Sequence, residues 1–286
     1  MFERDSKNGK RKSPENIFHQ TDMYTVWDEK GNRNLQIEHG LSGLETKFSS
    51  IRNKKLLRRR SLDDIEKAFL CVFIAAMHAR TKCQINHMAD QWRRPLEMMD
   101  EMAKRMKDAT EDEKRSMAKL SPPSRASDHG SLTHDQVRQI VDDPVGTMLI
   151  PMIQTESPLL AKLDMAILTT DTKPGFITSD APCNWFDPQA YTRPPLYRAP
   201  ALIYETIEIT LPVSPTECIY LNRQGISGYQ KLSADATKEL NRRIRFHASE
   251  HYIVNQEFVD DAWFEEKKEP EDSWDKLHMK ETDSTN

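Results

Sequence analysis

After Leu163 the spacing of apolar residues changes from about 3.6 to 2, and this switch constrains the fold more than any single motif. Upstream, Leu35, Ile37, Leu41, Leu44, Phe48 and Ile51 recur at helical spacing, which predicts a helix over about 35–57. Downstream, Ile207, Ile209 and Leu211 alternate with Thr206, Glu208 and Thr210, the pattern of a strand with one buried face. Helical segments followed by strand-like ones place the chain in the α+β class: a helix-rich N-terminal half packed with a small antiparallel sheet in the C-terminal half. The helical part covers about 33–163 and the sheet part about 164–256, together one domain over 1–256.

Local signals fill in this outline. Tyr24, Val26 and Trp27 read as a short β-like lead-in before a Lys30-Gly31-Asn32 turn. Ser61-Leu62-Asp63-Asp64 places a capping hydroxyl and two carboxylates at a helix start, where orphan amides and the positive dipole end favour them. Leu62, Ile65, Phe69, Val72, Phe73 and Ala76 then form one apolar face, predicting a core helix to about Gln91 that Pro95 kinks or restarts. Helical spacing resumes through Leu96, Met99, Ala103 and Met106, to about Lys107. Thr110-x-x-Glu113 and Thr133-x-x-Gln136 read as capping boxes, Ser121 to Ser131 as a loop, and Pro144 to Leu163 as a further helix. Strands are expected at Met165–Thr169, Gly175–Ser179, Glu205–Leu211, Cys218–Leu221 and Tyr252–Val254, with a helix from Ala234 to about Phe246. The five prolines between Pro182 and Pro200 predict a long loop, of the kind often used for function.

Composition removes several classes of function. Glycine is 9 of 286 residues, about 3% against a usual ~7%, which argues against folds built on repeated glycine-rich phosphate loops. The longest nearly uninterrupted apolar run, Phe69 to Met77, is far shorter than the ~20 residues of a membrane span, and no apolar stretch of signal-peptide type opens the chain. A cytoplasmic protein with no membrane association is the expectation. The four cysteines, Cys71, Cys83, Cys183 and Cys218, include no Cys-x-x-Cys pair and read as reduced, mostly buried side chains. Residues 257–286 carry eleven acids against four lysines, so the tail is acidic, and it is expected to be largely disordered from about 268.

Three constellations carry chemistry, each with a plain structural alternative. His247-x-x-Glu250-His251 matches a zinc-peptidase spacing, provided that the helix continues far enough to put both imidazoles on one face; otherwise it is a helix C-terminus. Arg52, Lys54, Lys55, Arg58, Arg59 and Arg60 place six cations in nine residues, a candidate contact for nucleic acid or an acidic protein or else a solvated helix end. Glu38 and Glu45 lie two helical turns apart, and Asp180 ends a predicted strand; if the three met they would hold Mg²⁺ or Mn²⁺ through oxygen and activate water. A helix charge and an Asx turn explain the same acids. No serine nucleophile is recognisable: there is no G-x-S-x-G, and neither Ser179 nor Ser214 has a base nearby in sequence.

The chain resembles domain-of-unknown-function family 4238 over roughly residues 1–256. The likeness rests on Tyr24-Thr25, Ile37-Glu38…Leu41…Leu44-Glu45, Arg80-Thr81, Phe176-Ile177-Thr178-Ser179-Asp180-x-Pro182 and Leu211-Pro212-Val213-Ser214-Pro215. It implies an α+β protein without an assigned activity and points to Glu38, Glu45, Arg80, Ser179 and Asp180 as site candidates. Family members usually begin with H-x-x-P-x-x-Y-L, and no residue here matches that histidine; the chain is expected to start just after that segment, at Phe2-Glu3-Arg4-Asp5, so that if the family's chemistry needs the histidine the protein is inactive, truncated or incorrectly started.

Two functions follow as expectations. One is a metal-dependent phosphodiester hydrolase, with Glu38, Glu45 and Asp180 as ligands and Arg80 clamping phosphate. The other is a non-catalytic module binding nucleic acid or protein through Arg58, Arg59 and Arg60. Nothing in the sequence fixes whether the chain is an enzyme or what its oligomeric state is.

Overall fold

The computed structural model describes residues 1–13, 17, 23–27, 31–120, 132–257, 259–266, 270 and 273–276. Short strands β1 (Phe2–Glu3), β2 (Val26–Trp27) and β3 (Arg33–Asn34) precede six helices: α1 (Gln36–Lys54), α2 (Asp64–Ala79), α3 (Lys82–Asp108), α4 (Glu111–Leu120), α5 (His134–Asp142) and α6 (Pro144–Leu160). Strands β4 (Asp164–Thr169), β5 (Thr178–Ser179), β6 (Asn184–Phe186), β7 (Glu208–Pro212), β8 (Glu217–Asn222) and β9 (Gly228–Lys231) follow, then α7 (Ala234–His247) and β10 (His251–Ile253). The α+β class is as expected.

Capping chemistry sets the helix ends. Asp63, rather than Ser61, caps α2: its Oδ1 accepts the Glu66 amide at 2.8 Å while Glu66 Oε2 accepts the Asp63 amide at 3.0 Å. The single core helix expected to run to Gln91 is broken at Arg80, because the Thr81 hydroxyl accepts the Gln84 amide at 3.3 Å and starts α3. Thr81-x-x-Gln84 is itself a capping signal that the apolar periodicity masks. Conversely, α3 runs through Pro95 uninterrupted. The missing proline amide removes one hydrogen bond, and the flanking turns keep theirs. The Thr110 and Thr133 boxes form as expected. The expected 121–131 loop lies outside the described residues, as does Lys30 of the lead-in turn.

The main sheet has five strands in the order β6-β7-β8-β4-β9. It is antiparallel except between β4 and β9, which run parallel, a departure from the purely antiparallel expectation. Two strands of this sheet were not expected: β6 lies inside the proline-rich segment, and β9 begins at the second glycine of the Gly225-x-x-Gly228 turn. Strand β8 is buried at all six positions, so the sheet is covered on both faces rather than one. Ile167, Ile209, Leu211, Ile219 and Leu221 pack with Leu70, Phe73, Ile74, Leu149 and Ile153 of α2 and α6. On the other face Ala166, Leu168, Cys218 and Tyr220 pack with Leu240 of α7.

A second sheet, in the order β1-β10-β5, is fixed by Phe2 stacked on Tyr252, with Ile177, Ile244 and Trp263 around them. Trp263 belongs to the stretch expected as a tail, yet it is buried in a 3-10 turn over Asp261–Phe264. Further on, Ser273 is buried and Asp275 pairs with Arg198 at 2.7 Å. These described parts of 257–286 therefore pack on the body; the remainder of the expected disorder lies outside the described residues. Among the described residues no helix is long and apolar enough to cross a membrane.

The two most specific sequence motifs touch each other. Gly175, just before Phe176, has φ +79°, and a Cβ there would lie 2.0 Å from the Pro215 carbonyl oxygen of the Leu211–Pro215 motif. That same carbonyl accepts the Phe176 amide at 2.8 Å. Asn241 of α7 brackets the contact, accepting from the Ile177 amide at 3.1 Å and donating to the Gly175 carbonyl at 2.7 Å. Gly225 also has a positive φ, +75°, but open space around it. Gly175→Ala is therefore expected to destabilise by about 3 kcal/mol, from strain plus collision, and Gly225→Ala by about 1 kcal/mol, from strain alone, as read by urea denaturation.

Candidate functional site

Helices α1 and α2 run antiparallel and present matched faces to a cleft of about 780 Å³. Glu45, Phe48 and Arg52 line it from α1, at i, i+3 and i+7 of one helical face. Phe73 and Met77 line it from α2, and Arg80 from the residue just past its end. The two faces pair as a ladder. Arg80 Nη1 donates to Glu45 Oε1 at 2.5 Å, and Phe48 stacks on Phe73 with ring centroids 3.9 Å apart and planes within 3°. Tyr24 closes this side by donating its hydroxyl to the Arg80 carbonyl at 3.2 Å.

The opposite wall comes from β5, the start of β10 and the end of β7. Asp180 organises it. Its Oδ1 accepts the Ser249 amide at 2.8 Å, and its Oδ2 accepts the Glu250 and His251 amides at 2.7 and 2.9 Å. The Asp180 amide returns a bond to the His251 carbonyl at 3.1 Å. Leu211, Pro212 and Val213 complete the wall. Ser179 lies beside them, 3% exposed, its Oγ accepting the Ala181 amide at 3.2 Å. No carboxylate or imidazole hydrogen-bonds to that hydroxyl among the described residues, so nothing activates it as a nucleophile.

Charge in the cleft is unevenly matched. Glu45 is paired by Arg80, Glu250 by Lys82 at 3.4 Å, and Asp180 by its three amides. Lys12 and Arg52 remain. Neither has an ion pair among the described residues, and the Arg52 Nε is buried without a hydrogen-bond partner.

Four of the five expected site residues, Glu45, Arg80, Ser179 and Asp180, thus line one cleft. Glu38 does not. It is exposed on α1, about 10 Å along the axis from Glu45. The three carboxylates expected to hold Mg²⁺ or Mn²⁺ do not converge, and among the described residues no group of three His, Cys, Asp or Glu side chains has the arrangement of a metal site. The physical reason is that Glu45 and Asp180 are each committed to other donors. The His247/His251 spacing fails for a different reason: α7 ends at His247, and His251 opens β10, so the two share no helical face.

The basic run is also divided. Arg59 sits in a left-handed turn, φ 52°, with Asp171 and Glu217 at 4.0 and 3.9 Å, while Arg58 and Arg60 are exposed and lie outside the cleft. Arg52 lines the cleft instead, although in sequence it belongs to the run of helix-end cations. The signal that separates it is the i, i+3, i+7 relation to Glu45 and Phe48. All four cysteines are free; burial raises the Cys71 thiol to about 11 and the Cys183 thiol to about 12, which keeps both protonated and unreactive near neutrality.

The family model described as Protein of unknown function (DUF4238) matches residues 1–257. No curated protein and no solved structure matches the chain. Asp180→Asn is expected to destabilise by about 2–4 kcal/mol in chemical denaturation, because an amide nitrogen would face backbone donors, whereas Glu38→Gln should stay within about 0.5 kcal/mol.

Proposed function

Given that the chain belongs to the DUF4238 family over residues 1–257, we propose that it binds a phosphate-bearing ligand in the cleft between α1, α2 and β5, with Arg52 seating the anion. The observation that carries this reading is the Arg52 guanidinium, which has no ion pair in a cleft where every carboxylate among the described residues is already matched. The Arg52 Nε is closed to solvent, so an arriving anion meets the terminal nitrogens of the guanidinium, which carry no hydrogen bond or ion pair among the described residues. The guanidinium fork suits phosphate oxygens, and Arg52 with Lys12 offsets the ~1.5–2 negative charges of a phosphomonoester at neutral pH.

A metal-dependent phosphodiester hydrolase is the second reading, favoured by Glu45, Arg80, Ser179 and Asp180 lining the same cleft. It requires Mg²⁺ or Mn²⁺ to be held without Glu38. Binding through Arg58, Arg59 and Arg60 is a separate property of a separate surface.

Titration with inorganic phosphate and pyrophosphate, followed by calorimetry, tests the proposal. Saturable binding that Arg52→Gln weakens about 10–100-fold, while Arg58→Gln with Arg60→Gln leaves it unchanged, is the expected result. Binding indifferent to Arg52 would overturn it. Release of mononucleotides from an RNA or DNA oligonucleotide only when Mn²⁺ or Mg²⁺ is added would favour the second reading.

A further inference from the structure

We infer that the phosphate-bearing ligand is a nucleotide, with its phosphate on Arg52, its base against the ring of Phe48 and the base edge at the Glu45–Arg80 pair. The inference rests on the reading of the cleft as a phosphate site and adds what the rest of the ladder does. From Arg52 to Glu45 the axis of α1 rises about 10 Å, the reach of a nucleotide from phosphorus to the far edge of its base. Between these ends lies the aromatic step: Phe73 is 5% exposed and forms the floor, and Phe48, half-buried, lies over it with both rings lining the cleft. A planar base extends that stack, a contact that every base supplies through its π face.

The far end is equally suited. Glu45 offers acceptors and Arg80 donors side by side, and every base carries a donor and an acceptor on adjacent positions of its Watson–Crick edge. The Glu45 carboxylate is half exposed and keeps lone pairs beyond the one that Arg80 occupies, so the pair need not separate to receive a base. A sugar phosphate without a base would leave the half-buried apolar side chains of Phe48 and Met77 in contact with water. The cleft volume, about 780 Å³, lies in the range of small-molecule sites, ~300–1,000 Å³.

Three probes separate the parts: guanosine monophosphate, ribose 5-phosphate and guanosine, each titrated calorimetrically against the full chain. The nucleotide is expected to bind at least about tenfold more tightly than ribose 5-phosphate, and Phe48→Leu to abolish most of that difference while leaving ribose 5-phosphate affinity unchanged. Unchanged ribose 5-phosphate binding also reports that the variant is folded. Equal affinity for nucleotide and ribose 5-phosphate would overturn the nucleotide inference and leave the phosphate reading standing. Binding of guanosine alone, insensitive to Arg52→Gln, would overturn both. A 5′-phosphorylated single-stranded tetranucleotide that binds more tightly than the mononucleotide assigns the ligand to a strand end; one that binds more weakly assigns it to a free nucleotide, and either result upholds the inference.

Discussion

One carboxylate, Asp180, accepts three consecutive backbone amides, from Ser249, Glu250 and His251, and the cleft depends on it. These amides follow the last turn of α7, where the chain leaves helical conformation at Ala248 (φ −57°, ψ 139°) and enters a strand, so they turn away from the helical carbonyls and need an acceptor from elsewhere. Satisfying them from β5 fixes two things at once: the point at which α7 ends and the register in which Tyr252 and Ile253 pair with Ser179 and Thr178. A hydrogen bond to a charged acceptor is worth roughly twice a neutral one, so three on one side chain make this junction stiff. The cleft wall is rigid because it is anchored there, and it faces α1 and α2 across an opening that neither set of elements fills.

This reinterprets the sequence motif that contains the aspartate. The Phe176–Asp180 segment has the look of a catalytic strand end, a carboxylate pointing from a rigid element. Its residues divide the work differently: Phe176 and Ile177 go to two separate cores, Ser179 closes a local turn, and Asp180 ties the backbone of another element. The neighbouring Leu211–Pro215 motif is bound to it through the Pro215 carbonyl, which needs Gly175 to be without a side chain. Both motifs thus hold the wall of the cleft, and the cations left unpaired there among the described residues come from elsewhere, Arg52 from α1 and Lys12 from the N-terminal segment.

Much of the fold was legible because its cause is local. Period and caps give α1, α5, α7, β4, β7 and β8 within a few residues, since each element's burial pattern is written in its own sequence. What was not legible depends on non-local partners. Strand β9, with Tyr229 and mostly exposed neighbours, has no alternation of its own and exists because β4 offers a free edge. Strand β6 is made by β7 in the same way. The break between α2 and α3 was missed for the opposite reason: a local cap at Thr81 overrides an apolar pattern that runs on past it. For the site, the sequence yields the residue types, and the fold decides their employment. Glu38 and Glu45 share a helical face in outline, yet only Glu45 reaches the cleft, and Arg52 looked like one of six helix-end cations.

The distinction between engaged and unengaged charge decides which chemistry the cleft can perform. A carboxylate that already accepts an arginine or three amides has part of its field offset and part of its lone-pair capacity used, so it is a poor first ligand for a hard cation that asks for several oxygens at once. A partly buried guanidinium without an ion pair is in the reverse condition, since part of its hydration is already lost and no anion among the described residues compensates it. Glu45 and Asp180 belong to the first kind and Arg52 to the second, and they sit in the same cleft. Among the described residues the cleft's carboxylates are thus all matched while two of its cations, Lys12 and Arg52, are not, an arrangement that favours an incoming anion over an incoming metal ion.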